Sequence, residues 1–225
     1  MGSDSSAKAA AGVTEAPGWK CKIAYGINLH KFLCAPIIYF FMLKYSRFSA
    51  AAWTYLALHG SYGYLWIVKD QTFPDRNFHG PTSFGEMSAA FVATSVLYWA
   101  IPWIMMHHGK DVPPWFQALA IGVFSTGMFL MIGADCQKYY TLKLAPGKLI
   151  TTGFFKYIRS PNYLGELMVY GALSMLTYTA WGWIPFATLV LRFSADARNK
   201  DRSMSRYEEF AEWKASSYLL LPPVY

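Results

Sequence analysis

The stretch Gly153-Phe154-Phe155-Lys156-Tyr157-Ile158-Arg159-Ser160-Pro161-Asn162-Tyr163-Leu164-Gly165-Glu166 is a polar, basic cassette set between two long apolar runs. Polar backbone and ionisable side chains at a bilayer edge are costly, so they persist where they bind something. The chemistry favours an anionic ligand. Lys156 and Arg159 supply positive charge, Asn162 an amide, Pro161 a fixed turn, and Gly165 a close approach to the backbone. Glu166 stands at the mouth of the next apolar run.

Outside the cassette the chain is apolar. Its 225 residues are 54% hydrophobic, 18% aromatic and only 15% charged, a balance outside that of soluble domains. A hydrocarbon core about 30 Å thick asks for roughly 20 apolar residues per helix. The pattern predicts an all-α, polytopic membrane bundle of about six spans, near 26–45, 50–68, 87–106, 115–134, 165–181 and 183–197. If the N-terminus is cytosolic, Lys44, Arg47 and Lys110 fall on the far side. The other 17 of the 20 Lys and Arg then lie on the cytosolic side or at its margin, as the positive-inside rule expects. The net charge of +7 is therefore a topology signal with some attraction to membrane lipids, and no nucleic-acid partner is expected. Trp53, Trp66, Trp99, Trp103 and Trp115 are expected to be interfacial anchors.

Three regions are expected. Residues 1–18 read as a disordered arm of small residues without a secretory signal. Its opening Met1-Gly2-Ser3-Asp4-Ser5-Ser6 fits a myristoylation pattern, with an ordinary tail as the alternative. Residues 19–114 hold the N-terminal spans, entered through an interfacial segment from Trp19 to Lys31. Residues 115–225 form a C-terminal membrane domain whose cytosolic half binds a cofactor. Cys21, Cys34 and Cys136 lack a Cys-x-x-Cys spacing, and adjacent His107 and His108 rarely point at one ion, so neither disulfides nor a metal site are expected.

Basic clusters at 138–159 and 192–206, including Lys138, Arg159 and Arg198, flank the last helical hairpin and suit a phosphate-bearing nucleotide. Topology alone puts basic residues at a cytosolic margin. Asp135, Asn162 and Glu166 gain nothing from that rule.

The run Ala134-Asp135-Cys136-Gln137-Lys138, the cassette from Gly153 to Glu166, and the segment from Tyr207 to Pro222 resemble the steroid 5-alpha-reductase C-terminal domain superfamily. That superfamily also contains sterol reductases and, more distantly, isoprenylcysteine carboxyl and phospholipid methyltransferases. The resemblance covers about residues 115–225. It implies a membrane helix bundle enclosing a cofactor, with a lipid-like substrate entering among the spans and the endoplasmic reticulum as the expected location. In the reductases, positions similar to Asp135, Asn162 and Glu166 help hold NADPH. The implied cofactor set is Asp135, Lys138, Arg159, Asn162, Tyr163, Glu166 and Arg198.

The methyltransferases, which use S-adenosylmethionine, resemble an Arg-His-Pro-x-Tyr pattern. Here Ser160 replaces the His, which favours NADPH. The implied activity is an NADPH-dependent reduction of a carbon-carbon double bond in a sterol, steroid or enoyl lipid. A methyltransferase and a non-catalytic subunit with protein partners are the alternatives. His59, Tyr62 and Glu86 are the candidate proton donors, chosen by chemistry and depth.

Overall fold

The computed structural model describes residues 20–221. The 1–18 arm and the Gly2 acylation pattern lie outside the described residues. Six long helices form the body: α1 (Ile23–Lys44), α2 (Ala50–Thr72), α4 (Phe84–His108), α5 (Pro114–Leu144), α6 (Pro161–Thr177) and α7 (Trp183–Met204). Two short helices, α3 (Arg76–His79) and α8 (Phe210–Ala215), and a two-stranded ribbon, β1 (Cys21–Lys22) with β2 (Pro81–Thr82), complete the fold.

Local chemistry sets the boundaries. Ser49 caps α2 by accepting from the Ala52 N–H at 3.3 Å, and α2 ends just before Pro74. Ser83 and Glu86 form a capping box at the start of α4. Pro114 and Pro161 occupy first-turn positions of α5 and α6, where a missing N–H costs nothing.

Six helices stand at the six expected positions, but among the described residues only α1, α4 and α5 are long and apolar enough to cross a membrane. The expectation of six such spans is corrected to three. In α2 the apolar run is broken by His59, the Gly60 and Gly63 pair, Lys69 and Asp70. α6 has only 17 residues, about 26 Å at 1.5 Å per residue. The second half of α7 is charged. By the same measure the 31 residues of α5 reach about 46 Å, beyond a hydrocarbon core of about 30 Å, so its polar C-terminal third extends past the apolar layer.

One main core runs through the whole bundle, from Cys34 and Ile38 of α1 to Leu189 and Phe193 of α7. The α5–α6 contact is backbone on backbone. A Cβ added at Gly165 would lie 2.5 Å from the Met131 nitrogen and 2.6 Å from the Gly127 oxygen. Gly165 therefore serves helix packing, which corrects its reading as an opening for a ligand.

Ribbon β1–β2 ties the start of α1 to the start of α4. The ion pairs Lys69–Asp135 and Lys138–Asp75 tie the end of α2 and its following loop to the end of α5. The cassette hangs on the same end of α5, so the chemistry-bearing segments share one end of the bundle.

Candidate functional site

The cassette is anchored from two sides. From α5, Gln137 donates to the Thr152 oxygen at 2.9 Å and accepts from the Phe154 N–H at 2.9 Å. This fixes the turn in which Gly153 takes φ +60°, a left-handed conformation suited to glycine. From the C-terminal segment, the Trp213 indole donates to the Phe155 oxygen at 2.9 Å. The Arg159 and Ser160 N–H groups donate to the Tyr218 and Leu219 oxygens at 2.8 and 3.2 Å. A small second core of Ala134, Leu149, Phe155, Phe210 and Trp213 lies beneath.

Arg159 is the pin of this arrangement. Its Nε and Nη2 donate to the Asp201 carboxylate at 2.9–3.2 Å, and its Nη1 donates to the Ser217 oxygen at 2.5 Å and Oγ at 3.2 Å. The buried guanidinium is engaged on all three nitrogens by the protein itself. It positions the cassette and does not reach out as a phosphate fork. Sequence pattern could not reveal this, because Asp201 lies 42 residues away.

A cleft of about 520 Å³ opens at this end of the bundle. The Lys69–Asp135 pair and the Lys138–Asp75 pair, the latter 2.9 Å apart, cross it, with Phe73 and Tyr139 on its walls. Burial works against the Asp75 carboxylate. Lys138 and the Asn77 backbone N–H more than offset this and hold it below the ordinary carboxylate range. Asp70 accepts from Asn28 at 2.9 Å and contacts His79 Nε2 at 2.8 Å, so the 73–79 segment is latched to α2 and α1.

Three buried polar atoms between the cassette and α7 have no hydrogen-bond partner: Ser160 Oγ, Asn162 Oδ1 and Lys200 Nζ. Ser160 stands at the N-terminus of α6 without capping it, so the first-turn N–H groups of that helix lack a side-chain acceptor. Lys200 Nζ lies over the rings of Phe155 and Tyr163, at 5.4 and 5.5 Å. Burial, then Lys138, brings its ammonium down to about 8, against the pull of Asp135, Asp75 and Asp201. An unpaired buried cation, a hydroxyl and a helix N-terminus without a side-chain cap are donors that suit an anionic group, whereas the orphaned Asn162 Oδ1 is an acceptor that calls for a donor. In the sequence Lys200 is one member of the basic cluster at 192–206. Its one signal was its place in the charged run after the last apolar segment.

Of the other expected cofactor residues, Tyr163 stacks on Phe193 with centroids 5.5 Å apart, and Arg198 is exposed on α7. Glu166 lies one turn into the bundle, within electrostatic reach of Lys31, Lys69 and Asp135. Of these residues Asp135 and Lys138 line the cleft, and Tyr163 and Glu166 are within electrostatic reach of Asp135; Asn162, Tyr163 and Glu166 are not among its lining residues.

The interior holds a second polar group. Tyr55, His59, Tyr62, Trp66 and Lys69 recur at three- and four-residue spacing along α2, forming one face. Asn162, Glu166, Tyr170, Ser174 and Thr177 do the same on α6. Between these stripes lies Lys31, 3% exposed, donating to Tyr170 Oη at 3.0 Å and standing 4.0 Å over the Tyr62 ring. Lys31 was read as the end of an interfacial segment and Trp66 as an interfacial anchor. Both are instead buried in the bundle, because α1 starts at Ile23 and carries Lys31 more than two turns inward.

The candidate proton donors part company. Tyr62 is fully buried, and its hydroxyl has no hydrogen-bond partner. His59 is also buried, contacting Tyr55 Oη at 3.2 Å and Cys34 Sγ at 3.9 Å. Glu86 does not share that interior. Its carboxylate is exposed at the helix end and accepts from Thr82 Oγ1 at 2.5 Å and from the Ser83 N–H and Oγ at 2.9 Å. Helix capping explains it fully.

The profile of a family described as a protein of unknown function, DUF1295, matches residues 84–217, from the start of α4 to the Arg159-bonded Ser217. The chain belongs to the DUF1295 family. Among curated proteins it is similar to the steroid 5-alpha-reductase DET2 of Solanum lycopersicum, with 32% identity over 93 residues. That match covers 39% of this chain and 35% of the reductase, so the chain spans about a third of the relative it matches. The two matches together show a distant relationship to the steroid reductases.

Proposed function

We propose that this chain is an integral-membrane reductase that saturates a carbon-carbon double bond of a sterol, steroid or enoyl lipid with NADPH as reductant. The observation that carries this reading is the unpartnered Lys200 ammonium, buried as Asn162 Oδ1 and Ser160 Oγ are, and within electrostatic reach of Lys138, Asp135 and Asp75, which line the cleft. Buried polar atoms are rarely left without partners, and orphans of this kind mark a site for a polar ligand. The partial similarity to a steroid 5-alpha-reductase supports the same reading. The endoplasmic reticulum follows as the proposed location.

In this account Lys200 and Lys138 hold phosphate, Asp135 and Asn162 accept from and donate to ribose or amide groups, and the Tyr163 ring offers an apolar face. Arg198 guards the rim, and Arg159 holds the cassette in place. Bound NADPH supplies the hydride. Tyr62 supplies the proton from its unpartnered hydroxyl, with His59 behind it in the packed interior. S-adenosylmethionine, a cationic sulfonium whose one anionic group is a carboxylate, gains less from the Lys200 ammonium than a phosphate-bearing dinucleotide does. The test is nucleotide oxidation by the purified protein supplied with extracted lipids, compared with Asn162→Ala. Oxidation that falls in the variant supports the reading, whereas equal, near-zero rates in both proteins point to a structural subunit.

A further inference from the structure

Three ion pairs gather around the cleft, and they differ in how deep they lie. In Lys69–Asp135 the side chains are 10% and 13% exposed, and in His79–Asp70 the carboxylate is 3% exposed. The Lys138–Asp75 pair is open on both sides, at 28% each. Water and dissolved ions reach it, so it is the weakest of the three and the easiest to exchange.

Asp75 is held as an anionic guest would be. Its Oδ2 accepts from Lys138 Nζ at 2.9 Å, and its Oδ1 accepts from the Asn77 N–H at 3.0 Å. An ammonium that binds a carboxylate in this way binds a phosphate oxygen equally well. The cleft as a whole favours negative charge, because Lys69, Arg76, Lys138 and Lys143 line it against only two carboxylates, Asp75 and Asp135. Asp135 is committed to Lys69. Arg76 and Lys143 are exposed and have no carboxylate within ion-pair distance among the described residues. Once Asp75 leaves Lys138, three cations line the cleft without a counter-charge.

Asp75 sits on a strap that can take it away. Residues 73–77 and His79 form one wall of the cleft, opposite the end of α5. The strap is fixed at one end by the Phe73 N–H, which donates to the Lys69 oxygen at 2.9 Å, and at the other by His79 Nε2 on Asp70 at 2.8 Å. Between these points, the Asp75–Lys138 bond is the one among the described residues that ties the strap to α5.

We propose that the cleft is a phosphate-binding site that the chain fills with its own Asp75 carboxylate, so that a ligand reaches Lys138 only by displacing Asp75 and the strap that carries it. This deepens the NADPH reading, in which Lys138 holds phosphate, and rests on it for the ligand's identity. The exchange is anion for anion: one ion pair breaks and one forms. A singly charged ligand gains no more from Lys138 than Asp75 does, whereas a pyrophosphate or phosphate ester brings charge enough to engage Arg76 and Lys143 as well. The internal carboxylate thereby selects for multiply charged ligands.

The test is calorimetric titration of the full chain in detergent with inorganic pyrophosphate, and separately with NADPH. Asp75→Asn and Asp75→Ser remove the charge but keep a residue type that caps α3, so either serves if the other fails to fold. Both are expected to bind pyrophosphate roughly tenfold more tightly than the unaltered chain, the gain when one charge-assisted hydrogen bond no longer has to be broken. With Lys138→Gln already in place, where Asp75 blocks nothing, the same change is expected to leave affinity where it was. Equal or weaker pyrophosphate binding in Asp75→Asn overturns the proposal, as does its absence in every protein. A gain that survives in full beside Lys138→Gln also overturns it, since that is the general field of a lost charge. Tighter pyrophosphate binding without NADPH binding removes the NADPH reading alone. NADPH binding with a pyrophosphate affinity indifferent to Asp75 removes the internal competitor alone.

Discussion

Arg159 and Asp201 form a two-pronged ion pair, with Nε and Nη2 on the carboxylate at 2.9–3.2 Å, that clamps the cassette to the end of α7. The clamp places Lys200, the residue before Asp201, against the Phe155 and Tyr163 rings. Removing one partner leaves a buried charge without compensation. Arg159→Ala is expected to destabilise the fold by about 3–5 kcal/mol, seen as a lower thermal midpoint in detergent and faster proteolysis of the 205–221 segment. A variant that loses nucleotide affinity with unchanged stability would return Arg159 to a direct ligand role.

Gly127 and Gly165 make a second, purely steric test. A Cβ at Gly165 would come within 2.6 Å of the Gly127 oxygen, and backbone on both sides cannot yield cheaply. Gly165→Ala is expected to cost about 1–3 kcal/mol or more by thermal unfolding. Gly122→Ala, on the same helix as Gly127 with nothing within 4 Å of its added Cβ, is the control and is expected to be neutral or slightly stabilising.

Lys200 gives a pH signature of defined sign. Burial lowers its ammonium from 10.5 to about 8, so above 8 the folded protein sheds this proton while the unfolded chain still binds it. Stability is therefore expected to rise with pH between about 8 and 10.5, and Lys200→Met is expected to flatten that rise. Thermal midpoints measured across this window decide it. Binding of an anionic ligand runs the other way, weakening as the ammonium is lost above about 8.

Much of the architecture was legible in the sequence. The six apolar or amphipathic stretches are helices, with boundaries shifted by a few residues, and the cassette lies at one end of them. Tyr55, His59, Tyr62 and Lys69 recur at helical spacing and mark the inward face of α2. Lys31, Lys200 and Trp66 were not legible. Whether one lysine in an apolar run is buried depends on which rings close around it, and those of Tyr62, Tyr98 and Tyr170 come from three other helices. Gly165 was misread for the same reason: a glycine that admits a neighbouring helix and one that admits a ligand look alike in sequence.

Glu86 separates capping from chemistry. Its carboxylate accepts from the Ser83 N–H and Oγ at 2.9 Å at an exposed helix end. Glu86→Ala is expected to cost about 1 kcal/mol of stability through the lost capping box and to leave the rate of nucleotide oxidation unchanged. A large loss of rate at unchanged stability would restore it as a proton donor.

The central claim is that the cleft end of the bundle, with the unpartnered Lys200 within electrostatic reach of the cleft residues, holds NADPH. Calorimetric titration of the purified protein with NADPH, and separately with S-adenosylmethionine, tests it most directly. The account expects NADPH to bind and Lys200→Met to weaken that binding by about 1.5–3 kcal/mol, the worth of a hydrogen bond to a charged group. Binding of S-adenosylmethionine alone, or NADPH binding indifferent to Lys200, would contradict it.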